Sequence, residues 1–150
     1  MKTTNKLLTL IIIFSSLFSL QSQNKFSKRK IENLKEEVSQ LVEDDKKMTQ
    51  VMIDKVFSFG ELGFQEFETS KYLGKILEEN GFDVEYQISG IPTSWLATWS
   101  NGEGGPTIAL GSDFDGVPST SQYPGVAYEK PVVEGAPGHG EGHNIGLPIV

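Results

Sequence analysis

The two histidines of this chain lie four residues apart in a glycine-rich stretch, GHGEGHN, with Glu141 midway between them. On a helix, His139 and His143 would share one face and Glu141 would point away, whereas on extended or looped backbone all three side chains would project together. The interleaved glycines disfavour the helix. Since imidazole and carboxylate groups bind Zn²⁺ and related ions, the stretch indicates a metal site, and a polar glycine-rich turn is the alternative.

A second candidate cluster, GSDFDGVP, contains two aspartates that directly follow a short apolar run. Asp113 and Asp115 are two residues apart, so their side chains point the same way on extended backbone. Two like charges at short range cost free energy unless a cation or a hydrogen-bond donor neutralises them. The pattern therefore leaves two interpretations open, a metal site and a turn in which both side chains accept hydrogen bonds from nearby backbone N–H groups.

The elements that must position these side chains are predicted from the spacing of apolar residues. Spacings of three and four predict one helix over residues 27–57 and another over residues 66–80, with Gly81 as the residue that ends it. Alternation with a period of two predicts strands in DVEYQI and SWLATW. The apolar run Thr107–Gly111 predicts a buried strand. The loop over residues 113–142 has no periodicity, and loops of that length are often functional.

These segments together resemble the aminoacylase/carboxypeptidase-type di-metal hydrolases, and in particular their amidohydrolase branch. FSFGELGFQEFETSKYLGKILEENGFDVE is similar to the N-terminal segment of that branch, and GIPTSWLATW, GSDFDGVP and GHGEGHN follow in the same order at similar spacings. The resemblance covers about residues 50–150. It implies an α/β fold, the N-terminal part of a zinc-peptidase-like (phosphorylase/hydrolase-like) catalytic domain whose mixed sheet is flanked by helices. Val150 is interpreted as a truncation point, so we expect that domain to be incomplete.

The resemblance assigns roles to individual residues. Many members carry His-x-Asp-x-x-Pro after the strand; here Asp113 stands at the histidine position, as in the amidohydrolase branch, and Asp115 keeps the position that orients a ligand imidazole. The branch then shows His-x-Cys-Gly-His, with the cysteine and the last histidine as ligands. Here Glu141 replaces that cysteine and His143 is retained. The metal ligands are therefore predicted to be Glu141 and His143, while Asp113, Asp115 and His139 support them or serve as further ligands.

The glutamate at the cysteine position allows two interpretations, loss of the metal or exchange of one ligand for another. We favour exchange, because a glutamate carboxylate is itself a competent ligand. His139 has three candidate roles, a substrate contact, a support for the ligands and a polar loop residue. The implied cofactor is a pair of divalent ions, Zn²⁺ or Mn²⁺.

The function that the resemblance implies is metal-assisted hydrolysis of the amide bonds of N-acyl amino acids or dipeptide-like substrates. The general-base glutamate is expected beyond residue 150, so no catalytic residue is assigned within the chain. A homo-oligomer or dimer is implied for the full-length protein, and the 150-residue chain alone is expected to be inactive and poorly folded. The alternatives are a non-catalytic binding or scaffold relative and a membrane-anchored structural protein.

The N-terminal residues predict export. Residues 1–22 combine two lysines, an apolar run from Leu7 to Leu20 and a polar end, as a secretory signal does, and the run is shorter than the roughly 20 residues of a membrane span. The mature part would be residues 23–150, periplasmic or secreted, and a membrane would be a partner only if the signal stayed uncleaved. Loss of the two lysines takes the net charge from −7 to −9, which argues against nucleic acid as a partner. The chain has no cysteine and therefore no disulfide scaffold.

Overall fold

A computed structural model describes residues 26–150, and the predicted signal over residues 1–22 lies outside them. The chain divides into two compact units, Met1–Asp44 and Asp45–Val150. All the candidate site residues lie in the second unit. Within residues 26–150, no helix combines the length and the apolar character that a membrane span requires.

Helix α1 (Lys28–Phe59) agrees with the helix predicted over residues 27–57. At its start the hydroxyl of Ser27 accepts a hydrogen bond from the backbone N–H of Lys30 at 3.3 Å, as a helix-capping serine does. The helix ends where Gly60 adopts a φ of 54°. This left-handed conformation costs little for glycine and stops the helix.

Helix α2 (Phe67–Glu79) lies within the second predicted helix and is capped by a side chain from outside it. The Glu61 carboxylate accepts hydrogen bonds from the backbone N–H groups of Glu68 (3.0 Å) and Thr69 (2.9 Å), which have no partner inside the helix. It also accepts a bond from the Thr69 hydroxyl at 2.8 Å. At the other end Gly81 has a φ of 86°, which confirms its predicted role in ending the helix.

Two of the three predicted strands form an antiparallel sheet. β1 (Asp83–Tyr86) pairs with β2 (Trp95–Thr98), with Asp83 opposite Thr98 and Tyr86 opposite Trp95. A short 3-10 helix, Ile88–Gly90, lies in the connection between them. Helices together with this sheet are compatible with the predicted α/β class.

The strand predicted over Thr107–Gly111 is wrong for the described structure, since these residues form no strand. Ile108 is 79% exposed and Leu110 is 71% exposed. Among residues 26–150 no strand pairs with this segment, so its backbone gains no ladder hydrogen bonds. An apolar run alone does not provide the neighbouring strand that a buried strand needs.

The hydrophobic core of the described residues is small and joins the two long helices, β2 and the last helix. Its buried members are Met52 and Val56 of α1 and Leu73 of α2. Trp95 of β2 and Leu147 of the last helix, α3 (His143–Ile149), pack against them together with two further residues of α2, Tyr72 and Ile76. The end of α1 is thereby fixed relative to the helix that carries His143.

The long loop over residues 113–142 is held by backbone contacts rather than by regular structure. Gly116 donates its N–H to the carbonyl of Glu61 at 2.6 Å, and Val117 and Gly138 exchange hydrogen bonds at 2.8 and 3.2 Å. A Cβ atom at Gly138 would lie 2.6 Å from the carbonyl oxygen of Thr120, so only glycine fits this close approach. These contacts bring the aspartate cluster and the histidine stretch together.

Candidate metal centre

The ring of His143 is oriented by Asp115. Its Nδ1 lies 2.9 Å from the Asp115 carboxylate oxygen Oδ1 and 3.2 Å from the Asp115 backbone carbonyl. An ionised carboxylate and a carbonyl can only accept, so Nδ1 carries the hydrogen and donates it. In the neutral ring Nε2 then keeps its lone pair, which is the arrangement of a histidine prepared to bind a metal ion.

Asp113 faces that lone pair. Its Oδ1 lies 3.3 Å from His143 Nε2. Two ligand atoms that each lie about 2.0–2.1 Å from a tetrahedral zinc ion are about 3.3–3.4 Å apart, so the observed separation suits a shared ion. Candidate ligand atoms of Asp113, Asp115 and His143 all lie within 4.8 Å of one another. The set of one imidazole and two carboxylates is one that Zn²⁺ and Mn²⁺ accept.

The charges around His143 raise the pKa of its imidazole above the ordinary value of 6.5. Burial, the largest single influence, lowers the pKa, but it is outweighed by the negative charge of Asp113, by the hydrogen bonds to Asp115 and by the charge of Glu141. A proton and a metal ion compete for Nε2, because both are stabilised by the same carboxylates. An ion at this site would therefore be bound in a pH-dependent way.

Glu141 lies on the Nδ1 side of the same ring. Its Oε1 lies 3.6 Å from His143 Nδ1 and 3.4 Å from the His143 backbone nitrogen, which donates to it. The same oxygen lies 3.3 Å from Nδ1 of His139. The Glu141 side chain keeps 22% of its surface exposed to solvent.

His139 is buried, with none of its side-chain surface exposed. Its Nε2 lies 3.1 Å from the backbone carbonyl of Val56, near the end of α1. Both ring nitrogens therefore face acceptor oxygens of the protein. The role of His139, a substrate contact, a support for the ligands or a polar loop residue, stays a prediction.

A cleft of about 380 Å³ opens beside the aspartates. Trp95 and Phe114 stack along it with ring centroids 6.3 Å apart, and the indole nitrogen of Trp95 is buried without a hydrogen-bond partner among the described residues. The buried carboxylate of Glu66 accepts a 2.6 Å hydrogen bond from the Thr93 hydroxyl. Sequence reasoning missed these lining residues, because Glu66 and Thr93 are 27 positions apart and no local pattern links them.

The structure brings all five candidate residues into one region. Asp113, Asp115 and His143 form the group that could hold an ion, and Glu141 and His139 lie on the Nδ1 side of the His143 ring. The assignment of Glu141 and His143 as the metal ligands stays a prediction.

Sequence comparison relates the chain to amidohydrolases and peptidases. It is 32% identical over 108 residues to one of the subunits of p-aminobenzoyl-glutamate hydrolase from Escherichia coli, a match that covers 72% of this chain and 22% of the relative. It is 33% identical over 64 residues to thermostable carboxypeptidase 1 of Saccharolobus solfataricus, covering 43% of this chain and 16% of the relative. A Bacillus subtilis protein named as an amidohydrolase is 33% identical over 100 residues, covering 61% of this chain and 23% of the relative.

The aligned region is thus about a fifth of the length of these curated relatives. No protein-family model matches the chain, and no solved structure is significantly similar to it. The names of the relatives support a hydrolase of the amidohydrolase or peptidase type, which agrees with the reaction class predicted from the sequence.

Proposed function

We propose that the full-length protein is a metal-dependent amidohydrolase or peptidase that hydrolyses the amide bonds of N-acyl amino acids or dipeptide-like molecules. The observation that carries the proposal is the arrangement of His143, whose Nε2 is left free by Asp115 and faces the carboxylate of Asp113 at 3.3 Å. The similarity to enzymes named as a hydrolase, a carboxypeptidase and an amidohydrolase supports the reaction class.

The residues divide into ligands and supports. His143 and Asp113 would hold one ion, and Glu141, as the resemblance implies, would supply a further carboxylate to a centre of two divalent ions, Zn²⁺ or Mn²⁺. Asp115 holds the His143 ring in the tautomer that leaves Nε2 free. When bound, such ions polarise the amide carbonyl and lower the pKa of a coordinated water.

Other parts of the proposal concern the full-length protein. The described residues would form part of a zinc-peptidase-like domain, and a glutamate beyond residue 150 would act as the general base. The protein would be exported after removal of residues 1–22 and would assemble as a dimer or a larger homo-oligomer. A mature N-terminus near Gln23, measured by mass spectrometry, would support export and exclude an uncleaved anchor.

Hydrolysis assays with the full-length protein test the proposal. After chelation, activity on a panel of N-acyl amino acids and dipeptides should be lost, and Zn²⁺ or Mn²⁺ should restore it. These ions should not restore activity to the His143→Ala variant. The Asp83→Asn variant, which lacks an exposed carboxylate of β1, should behave as the wild type. A folded protein that binds the metal but hydrolyses none of the panel would favour a non-catalytic binding relative. Activity that survives complete chelation would contradict the proposal.

A further inference from the structure

We propose that Glu61 is a positioning residue: its carboxylate anchors residues 61–63 to helix α2, and this segment in turn holds Asp115 in place against His143. The inference deepens the proposed function and rests on it, because the position of Asp115 matters for the reaction only if His143 binds a metal ion. Glu61 would act through Asp115 and would contact neither the ion nor the substrate.

The anchor of Glu61 on α2 uses both oxygens of its carboxylate. Oε1 accepts a hydrogen bond from the backbone N–H of Glu68 at 3.0 Å, and Oε2 accepts one from the backbone N–H of Thr69 at 2.9 Å. Oε2 also accepts from the Thr69 hydroxyl at 2.8 Å, and Thr69 is completely buried. The two N–H groups can only donate, and the dipole of the helix favours a negative charge at this end. The Glu61 side chain is therefore fixed by a folded element.

The backbone of residues 61–63 lies directly against Asp115. Gly116, the residue after Asp115, donates its N–H to the carbonyl of Glu61 at 2.6 Å. A Cβ atom built on Gly63 would lie 3.5 Å from Asp115 Oδ2, at ordinary van der Waals distance, so a methyl group would fill the space between them. Oδ2 is the carboxylate oxygen that makes no hydrogen bond to the imidazole. The segment therefore restricts both the backbone and the side chain of Asp115.

The turn that contains this segment needs an anchor because its backbone is strained. The carbonyl of Leu62 accepts the N–H of Gln65 at 2.9 Å, and inside the turn Phe64 has a φ of 64°. A left-handed backbone is unfavourable for phenylalanine and persists only where the surrounding structure holds it. The Phe64 side chain is 67% exposed, so its own packing contributes little. Release of the Glu61 carboxylate should therefore let the turn relax and remove its support from Asp115.

Nitrogen NMR of the histidine rings in the metal-free full-length protein tests the positioning role without any ion. The signals of His143 are those that the His143→Ala variant lacks. At alkaline pH, where the ring is neutral, the wild type should carry the ring hydrogen mainly on Nδ1, which faces Asp115. Glu61→Ala should lose part of this form to the one with the hydrogen on Nε2. Asp115→Ala provides the reference for a ring without its carboxylate acceptor.

A matched control separates positioning from the capping of α2. Lys75→Gly weakens the same helix at an exposed position, because glycine disfavours helical backbone, and it leaves residues 61–63 untouched. Its His143 ring should keep the wild-type distribution of the hydrogen. Thermal unfolding of both variants shows that each one folds and that the helix is weakened in each.

Zn²⁺ titration of the metal-free full-length protein, followed by calorimetry, connects the contact with metal binding. Because Glu61 acts through Asp115, Glu61→Ala should lower the affinity several-fold, and by no more than the about tenfold expected when the group that orients a metal-binding histidine is removed. Glu61→Gln keeps one acceptor oxygen for α2 and should lose less. Lys75→Gly should bind Zn²⁺ as the wild type does.

The inference would be overturned by an unchanged His143 ring or an unchanged Zn²⁺ affinity in folded Glu61→Ala protein. Equal changes in Lys75→Gly would overturn it as well, since they would follow from a weakened helix alone. If Glu61→Ala does not fold, Glu61→Gln takes its place under the same criteria. A wild-type protein without Zn²⁺ affinity, in which Glu61→Ala still changes the His143 ring, would refute the proposed function and support the positioning contact, so the two failures are distinguishable.

Discussion

Removal of the Asp115 side chain should weaken metal binding by a moderate and predictable amount. In Asp115→Ala the His143 Nδ1 hydrogen loses its carboxylate acceptor at 2.9 Å but keeps the backbone carbonyl of the same residue at 3.2 Å. Loss of a group that orients a metal-binding histidine costs about 10- to 100-fold in affinity. Because one acceptor remains, we expect the lower end, about tenfold in Kd or about 1.4 kcal/mol.

The assay is a competitive Zn²⁺ titration of the full-length protein against a chelator of known affinity. Asp115→Asn, which keeps an oxygen acceptor without the charge, should lose less than Asp115→Ala. Asp83→Asn provides the control, since it removes one negative charge at an exposed position of β1. Unchanged affinity in a folded Asp115→Ala protein would refute the orienting role. A loss as large as that of His143→Ala would show that Asp115 is itself a ligand.

Further predictions follow from the same geometry. The pKa of His143 is raised, so in the metal-free protein the positive charge of its ring should stabilise the fold below pH about 6.5. This contribution should be lost as the pH rises through the pKa of the folded state. NMR titration should place that pKa above 6.5 in the wild type and should give a lower pKa in Asp113→Asn. Zn²⁺ affinity should fall as the pH is lowered through the same pKa, and a flat pH profile would contradict the role of His143. Gly138→Ala, whose Cβ would meet the backbone of Thr120, should destabilise the protein by about 1–3 kcal/mol in urea, whereas Gly111→Ala meets no atom within 4 Å and should be tolerated. Among the described residues only three apolar side chains are buried in the core. The 150-residue chain alone should therefore unfold in urea without a sharp transition. A cooperative transition with a normal m-value would show that prediction to be wrong.

The sequence predicted those parts of the structure that depend on local signals. The helices over residues 28–59 and 67–79 follow from the spacing of their apolar residues, and Gly81 ends the second as its lack of a side chain allows. The proximity of Asp113 and Asp115 to His143 was accessible only through the resemblance to a known family, because 28 residues separate Asp115 from His143.

Features that depend on distant partners escaped prediction. The run Thr107–Gly111 has the composition of a strand, but a strand needs a neighbour that composition does not reveal. The sequence left three roles open for His139, because its burial against the carbonyl of Val56, 83 positions away, has no local signal. The contact between Glu66 and Thr93 likewise arises only when α2 and the sheet come together.

The central claim is that His143, with Asp113 and Glu141, binds a divalent metal ion. Elemental analysis of the purified full-length protein measures it most directly, with His143→Ala, Asp113→Ala and Glu141→Ala as variants. We predict bound Zn²⁺ or Mn²⁺ in the wild type, the largest loss in His143→Ala, and reduced metal content in the other two. Equal metal content in the wild type and His143→Ala, or a folded wild-type protein that takes up no ion when Zn²⁺ and Mn²⁺ are supplied, would contradict the claim.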